Sequence, residues 1–450
     1  MLPFFPGCCH VIRCVLAPNL QIGIMNPLTL FLQDVDLIQF MSTSRTLYYT
    51  VLPQCTMKYG TYRVSLMISQ RVSVLGFERV IVEVTELESL NEYLRLPLCA
   101  RTKWGHIRSL KCNNFGGRPR GNLLNVLMEN HSVHTLILDG NFLDANNIKY
   151  LTQSVKINAS MRSLSLYNTG LSEQSCNLLC ESLKNNTSLT SLNVGDNPLG
   201  CGVIALAQTL TTHSALTSVS FCNCIFPVSE FFDHLGKFRA SQNELSILDF
   251  RGCRLGSCDP STVAAACGVI SLLSSLDLSN NGLTAKAIIP LCEMLKSHPF
   301  LTTLKLGSNE IGDDGATFLS EAIRDNHTLK LLDLAQCRIS SKGGTKLAQA
   351  LSLQNSITCL KVHLNDIGPI GATEFASALQ TNLFLKTLSL ASNKIKDEGA
   401  LALAHAIHRN ESLTELHVSY NFLLEDSITI LIEAFQRKPF PTYLDIRDML

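Results

Sequence analysis

What most limits the folds open to this chain is a phase. An eight-residue element of the form L-x-L-x-x-N-x-L begins at Leu136, Leu164, Leu192, Val219, Leu248, Leu276, Leu304, Leu332, Leu360, Leu388 and Leu416. Every step is 28 residues except 27 into Val219 and 29 out of it, so the residue lost in one unit is regained in the next. A fixed period held over eleven units marks an array in which each unit packs only on its neighbours. It also explains how 450 residues can fold without the several separate cores that such a length would otherwise require.

The letters of one unit say how it folds. Leucines two apart turn one face of a short strand inward, the period-2 signature. The sixth position holds Asn141, Asn197, Asn281, Asn309, Asn365, Asn393 and Asn421, with Thr169, Cys224, Cys253 and Cys337 in the other units. Here the chain leaves the strand and its inward backbone groups need partners. An asparagine amide both donates and accepts, so stacked copies form a ladder. A cysteine fits the same space as a small, weakly polar group. The second half of each unit reads as a helix. GATFLSEAI (315–323), GGTKLAQAL (343–351), GATEFASAL (371–379) and GALALAHAI (399–407) carry apolar side chains at i, i+4 and i+8, with alanines where helices must approach. The expected fold class is α/β: a horseshoe solenoid with a parallel sheet on its concave side and helices on its convex side.

This LxxLxLxxNxL…GaxxLaxaL unit resembles the ribonuclease-inhibitor-like class of leucine-rich repeats. That class includes ribonuclease inhibitor, the GTPase activator of Ran and the sensor arms of nucleotide-binding immune receptors. The resemblance covers residues 106–450 and implies a domain that holds other proteins. It specifies a fold tightly and a function hardly at all.

A solenoid has to cover the exposed faces at its ends. Leu444 lies one 28-residue step past Leu416, so 442–450 is expected to be a capping strand. HIRSLKCNNF (106–115) reads as a degenerate unit two residues out of phase, which makes 106–132 the expected first repeat. Residues 1–105 do not share the repeat and are expected to form a separate α+β region, with β-branched and aromatic clusters at 62–68 and 78–84. Within it, 30–52 (LFLQDVDLIQFMSTSRTLYYTVL) spaces Leu32, Leu37, Phe40, Arg45, Leu47 and Val51 in a rhythm similar to the second half of an F-box. In that family a small helical motif docks on the adaptor of a cullin ubiquitin ligase. The Leu-Pro start of the motif has no match at the right distance, Pro18 being too far upstream.

Composition enters mainly to exclude. The 37 basic and 37 acidic residues cancel, without the basic excess of a nucleic-acid binder. The first residues lack the pattern of a signal peptide, and Pro3, Pro6, Pro18, Pro27 and Arg13 break any membrane span there. The expectation is a cytoplasmic chain, or a nuclear or cytoskeleton-associated one, with its 17 cysteines reduced. Three of these cysteines take the asparagine position, and Cys176 and Cys180 stand at i, i+4 with no second ligand pair at zinc spacing. Cys8 and Cys9 lack the companions of a lipid anchor. No metal, disulfide, lipid or cofactor is expected. Sequons at Asn158, Asn185, Asn186, Asn326 and Asn410 mostly arise from the polar loop that the repeat writes before each strand.

No phosphate-binding loop, G-x-S-x-G elbow or H-E-x-x-H motif occurs, and His134, His363 and His417 are scattered in or beside strands. Catalysis is not expected. In L-x-L the middle residue points out of the concave sheet. That column is small and nearly neutral from Ile137 to Ser220, then charged and alternating in Asp249, Asp277, Lys305, Asp333 and Lys361. With Arg251 and His363 beside it, this stretch is the candidate partner-binding patch. Tyr167, Arg251 and Tyr420 are the nearest substitutes for the aromatic and arginine anchors that interfaces favour. The expected function is a non-enzymatic scaffold for partner proteins, within an assembly such as a cytoskeletal or flagellar complex. A substrate receptor of a cullin-type ubiquitin ligase is the alternative. A regulator of a small GTPase comes third, since the acidic tail of the Ran activators is missing.

Overall fold

The computed structural model describes residues 133–237, 244–438 and 441–447 with their side chains, and the backbone of three earlier strands. The F-box-like stretch 30–52 lies outside the described residues. The three early strands are Tyr62–Ser65 (β1), Val80–Val84 (β2) and Ser109–Cys112 (β3). Then come Thr135–Ile137 (β4), Ser163–Ser165 (β5), Ser191–Asn193 (β6), Ser218–Ser220 (β7), Ile247–Asp249 (β8) and Ser275–Asp277 (β9). The last six are Thr303–Lys305 (β10), Leu331–Asp333 (β11), Cys359–Lys361 (β12), Thr387–Ser389 (β13), Glu415–His417 (β14) and Tyr443–Asp445 (β15). All fifteen form one parallel sheet in sequence order. From β4 onward eleven helices alternate with the twelve strands, giving the solenoid expected from the repeat.

The phase of the sequence is the register of the sheet. Leu276 pairs with Leu304, Leu304 with Leu332 and Leu332 with Leu360, and the irregular Val219 stands opposite both Leu192 and Leu248. These side chains are fully buried between sheet and helices. The register also runs further back than the letters suggested. Leu110 pairs with Leu136 across a 26-residue step, and Val82 pairs with Leu110 across a step of 28. The sheet therefore extends through β1 and β2 into the segment that sequence alone set apart, and its edge does not coincide with residue 105.

A glycine column permits the helices to stack. A methyl added to Gly399, in helix Lys396–Arg409, would lie 2.7 Å from Cβ of Ala372 in the preceding helix. At Gly343 the same methyl would meet Cβ of Ala316 at 3.0 Å. No larger residue fits without pushing the helices apart.

The asparagine ladder forms, and each rung belongs to two units. Asn309 donates from Nδ2 to the carbonyls of Leu306 (2.7 Å) in its own strand and Leu278 (3.0 Å) in the unit before. Its Oδ1 accepts from the backbone N–H groups of Asn281 and Leu283, both at 3.0 Å. Asn197 and Asn365 repeat this pattern. Cys224, Cys253 and Cys337 keep the donor half, each thiol reaching the carbonyl of the previous strand at 3.1–3.3 Å. A thiol offers the two N–H groups little in return.

A second ladder, which the sequence reading dissolved into sequons, runs along the loops before the strands. Asn410 donates to the carbonyls of Leu379 and Asn382, and its Oδ1 accepts from Ser412 and Leu413 N–H. Asn186, Asn326, Gln354 and Asn382 occupy the same slot with similar bonds. The slot ends at Lys438, whose ammonium donates to the carbonyls of Asn410 and Leu413. Of the sequon asparagines, Asn158, Asn186, Asn326 and Asn410 are buried, whereas Asn185 is exposed.

The one-residue slip is absorbed by aromatic packing. Helix Val228–Leu235 has only eight residues, and Phe221, Phe226, Phe231, Phe232 and Phe250 fill the space around it. Phe221 stacks on Phe250 at 5.2 Å between centroids, and Phe231 meets Phe221 edge-on at 5.1 Å.

Candidate partner-binding face

Strand pairing places Asp249, Asp277, Lys305, Asp333 and Lys361 side by side across the concave sheet, one per strand. Ser389, His417 and Asp445 continue the row. Asp249 and Asp277 face each other with like charge, and the sign alternates only from Asp277 to Lys361, where opposite charges on neighbouring strands compensate one another. Lys305 Nζ lies 3.3 Å from Asp277, and Arg251 lies 3.5 Å from Asp249 in the same strand end. Ser220 Oγ donates to Asp249 at 2.9 Å. The seven candidate residues carry three acids against three permanent cations, so the patch has alternating texture but no net charge.

The aspartates also have a local task. Asp249, Asp277 and Asp333 each accept, at 3.0 Å, the backbone N–H two residues on, where the chain leaves the strand. Asn193 does the same for Gly195. A short acceptor in this column thus steadies the turn. Asp277 is the extreme case, only 8% exposed, so it presents little surface to a partner. His363 stands two residues past Lys361, and its Nδ1 is 3.3 Å from Ser389 Oγ. Burial holds this imidazole below the ordinary histidine range.

Exposed aromatic and apolar side chains gather at the C-terminal end of the array, on the face and along its rim. Tyr420 and Tyr443 are half exposed, and Phe422 and Leu424 are about 70% exposed. His417 packs against the Tyr443 ring at 5.5 Å and approaches Asp445 at 3.5 Å. Asp445 accepts both arms of the Arg447 guanidinium, at 2.9 and 3.1 Å, which lowers its carboxyl to about 2. Of these, Tyr420 stands out in the sequence as a possible anchor, whereas positions 422, 443 and 447 fall outside the middle column of the strands and do not. Listing the flanking columns as well would have shown aromatic letters gathering in the last two units.

Along the rim beyond the first ladder, Arg338 pairs with Glu310 at 2.7 Å and Lys394 with Asp366 at 3.1 Å, again between adjacent units. These exposed pairs set spacing more than stability. Among the described residues no three His, Cys, Asp or Glu side chains gather closely enough to hold a metal ion. No described helix is long and apolar enough to cross a membrane.

The family model described as Leucine Rich repeat matches residues 185–200, 270–292, 297–320, 325–348 and 381–404. Comparison with curated proteins finds no significant match. Among solved structures, an internalin from Listeria monocytogenes is 19% identical, with 80% of this chain and 90% of that one covered and a TM-score of 0.43. The leucine-rich repeat-containing protein LegL7 from Legionella pneumophila is 17% identical, covering 68% and 99%, with a TM-score of 0.46. Actin-binding site 2 of leiomodin-1 is 22% identical over 32% of this chain and 86% of its own, with a TM-score of 0.30. Likeness of this degree says nothing about what the chain binds. The matched stretches are leucine-rich repeats, and the same strand, ladder turn and helix recur along one continuous parallel sheet, the fold of a leucine-rich-repeat solenoid.

Proposed function

We propose that the chain is a non-enzymatic scaffold that holds partner proteins against its concave sheet. The observation that carries this reading is the division of labour within each strand. Leucines build the core, while the outward columns carry charged residues at β8–β12 and His417, Tyr443 and Asp445 at β14–β15. Leucine-rich-repeat domains in general bind other proteins on such surfaces. Lys305, Asp333 and Lys361 supply complementarity, with Asp249, Arg251, Asp277 and His363 shaping the surface around them. A reducing compartment suits this reading, because the buried thiols and the four buried sequon asparagines leave little room for oxidation or glycosylation.

The test is affinity capture with the full chain, wild type beside D277K/D333K and a reversal on the convex face at Glu374. Proteins retained by the wild type and the Glu374 variant but lost by D277K/D333K are concave-face partners. Identical capture by all three removes the patch from consideration. The rhythm at 30–52 favours a second reading, a substrate receptor of a cullin-type ubiquitin ligase. It requires a cullin adaptor that co-purifies with the full chain and is lost on deleting residues 1–60.

A further inference from the structure

The second ladder changes character in the middle of the array. Asn158, Asn186, Asn326, Gln354, Asn382 and Asn410 fill its slot with a carboxamide, whereas His213 and His298 fill it with an imidazole and Ile270 with no polar group. In the carboxamide units the side-chain oxygen accepts N–H groups of the loop. At His213 the N–H groups of Ala215 and Leu216 both point at Nδ1, each at 3.2 Å. At His298 the Phe300 N–H points at Nδ1 at 3.4 Å, and Nε2 reaches the Ile270 carbonyl at 3.2 Å. An N–H aimed at a ring nitrogen requires the lone pair there, so both rings are held neutral with the proton on Nε2. Nε2 of His213 is buried and turned toward the Asn186 carbonyl without reaching hydrogen-bond geometry to any described residue. A carboxamide oxygen can accept at any pH; an imidazole can do so only while Nδ1 is unprotonated.

The first ladder is interrupted over the same stretch. Cys224 and Cys253 follow one another, and their thiols donate without replacing the two-fold acceptor of asparagine. Helices Val228–Leu235, Pro260–Gly268 and Ile289–Ser297 have eight, nine and nine residues, against twelve to fourteen in the four helices from Gly312 to Arg409. Fewer cross-unit bonds and shorter helices both reduce the local cost of opening.

We propose that residues 213–237 and 244–300 form an acid-sensitive joint: protonation of Nδ1 in His213 and His298 sets a donor against backbone N–H groups, opens the loops before β7 and β10, and loosens the join between the regular parts of the array. Burial holds both imidazoles below the ordinary histidine range, with the Asn186 and Ile270 carbonyls opposing it in part. No charged side chain contributes at either ring. Around His213 the ionisable residues of the packed elements are Cys180, Glu181 and Lys184 before it, and Lys237 and Glu244 after it. Around His298 they are Asp259, Cys267, Cys292, Glu293 and Lys296 before it, and Arg324, Asp325 and His327 after it. The histidine pKa is lowered in the folded state, so stability is present above the unfolded value of 6.5 and is lost as pH falls below it.

Hydrogen exchange of the full chain at pH 7.5 and 5.5, corrected for intrinsic exchange chemistry, tests the proposal against H213N/H298N. A histidine that must be neutral to fold lowers the folded-to-open ratio about tenfold over this interval, from an unfolded pKa near 6.5. Opening of 213–237 and 244–300 is therefore expected to rise up to about 100-fold in the wild type, with little change in 304–355, a stretch that precedes the half-buried His363. The double variant, which restores carboxamides to both slots, loses that response. Opening spread evenly along the array overturns the proposal, as does an unchanged pH response in H213N/H298N. The single variants H213N and H298N, each expected to remove about tenfold, decide the matter if the double variant folds poorly.

Discussion

Replacing Asn309 by alanine should be among the most damaging single changes in the array, and the structure says where the damage falls. The carboxamide is buried and makes two donor bonds, to Leu278 and Leu306, and two acceptor bonds, from Asn281 and Leu283. Alanine leaves two buried N–H groups and two under-satisfied carbonyls. Each abandoned buried donor costs about 1–3 kcal/mol, and the carbonyls less because each retains another lone pair. Partial relaxation brings the total to about 3–5 kcal/mol. Cysteine at the same site keeps one donor, as at Cys337, and should cost about 2–3 kcal/mol, the two orphaned N–H groups remaining. Urea unfolding gives the overall loss, provided the transition is checked for intermediates, which arrays often show. Amide exchange locates it, because Asn281 and Leu283 belong to the preceding unit and should lose protection in both variants. A loss below about 1 kcal/mol for alanine, with those two amides still protected, would refute the reasoning.

Other expectations follow from the same geometry. Gly399→Val forces side-chain atoms into Ala372 and should cost about 1–3 kcal/mol of overpacking, read as a lower Tm. Phe231→Ala empties the centre of the aromatic cluster and should cost about 3–5 kcal/mol in urea titration. Asp313 caps the following helix by accepting from Ser340 and Gly343 N–H, so Asp313→Ala should cost about 1 kcal/mol. Although burial opposes it, the bonds from Ser340 and Gly343 hold the Asp313 carboxyl below its ordinary value. Its contribution is therefore present above the unfolded carboxylate pKa and is lost as pH falls through the folded one. Thermal melts from pH 6 to pH 3 should show a smaller acid loss in Asp313→Ala than in the wild type.

Period and register were legible in the sequence because leucine at a strand's buried position has few substitutes. The first ladder was legible for the same reason, even where cysteine replaced asparagine. The second was not, since its slot accepts any side chain that satisfies a loop, and Asn186, His213, Gln354 and Lys438 look unrelated as letters. Val82 and Leu110 stand a full 28-residue step apart, yet the shortened step from Leu110 to Leu136 hid them. Of the candidate patch, the charges were legible and their mutual pairing was not. Lys305 and Asp277 are 28 residues apart, and only strand register reveals that they neutralise each other. The exposed side chains of Tyr443 and Phe422 went unread because outward columns carry no folding constraint to make them regular.

The first ladder has a direction. Where the successor carries asparagine, it completes the turn of the unit before it: Thr169 and Leu171 wait for Asn197, and Cys337 and Ile339 wait for Asn365. As the chain leaves the ribosome, a unit therefore cannot reach its finished state until the strand and turn of the next have emerged. Through the asparagine units maturation travels toward the C-terminus with a lag of one repeat, and a nascent chain halted between two of them has an unfinished turn at its growing end. An array truncated between two such units inherits the same wound in its new last unit.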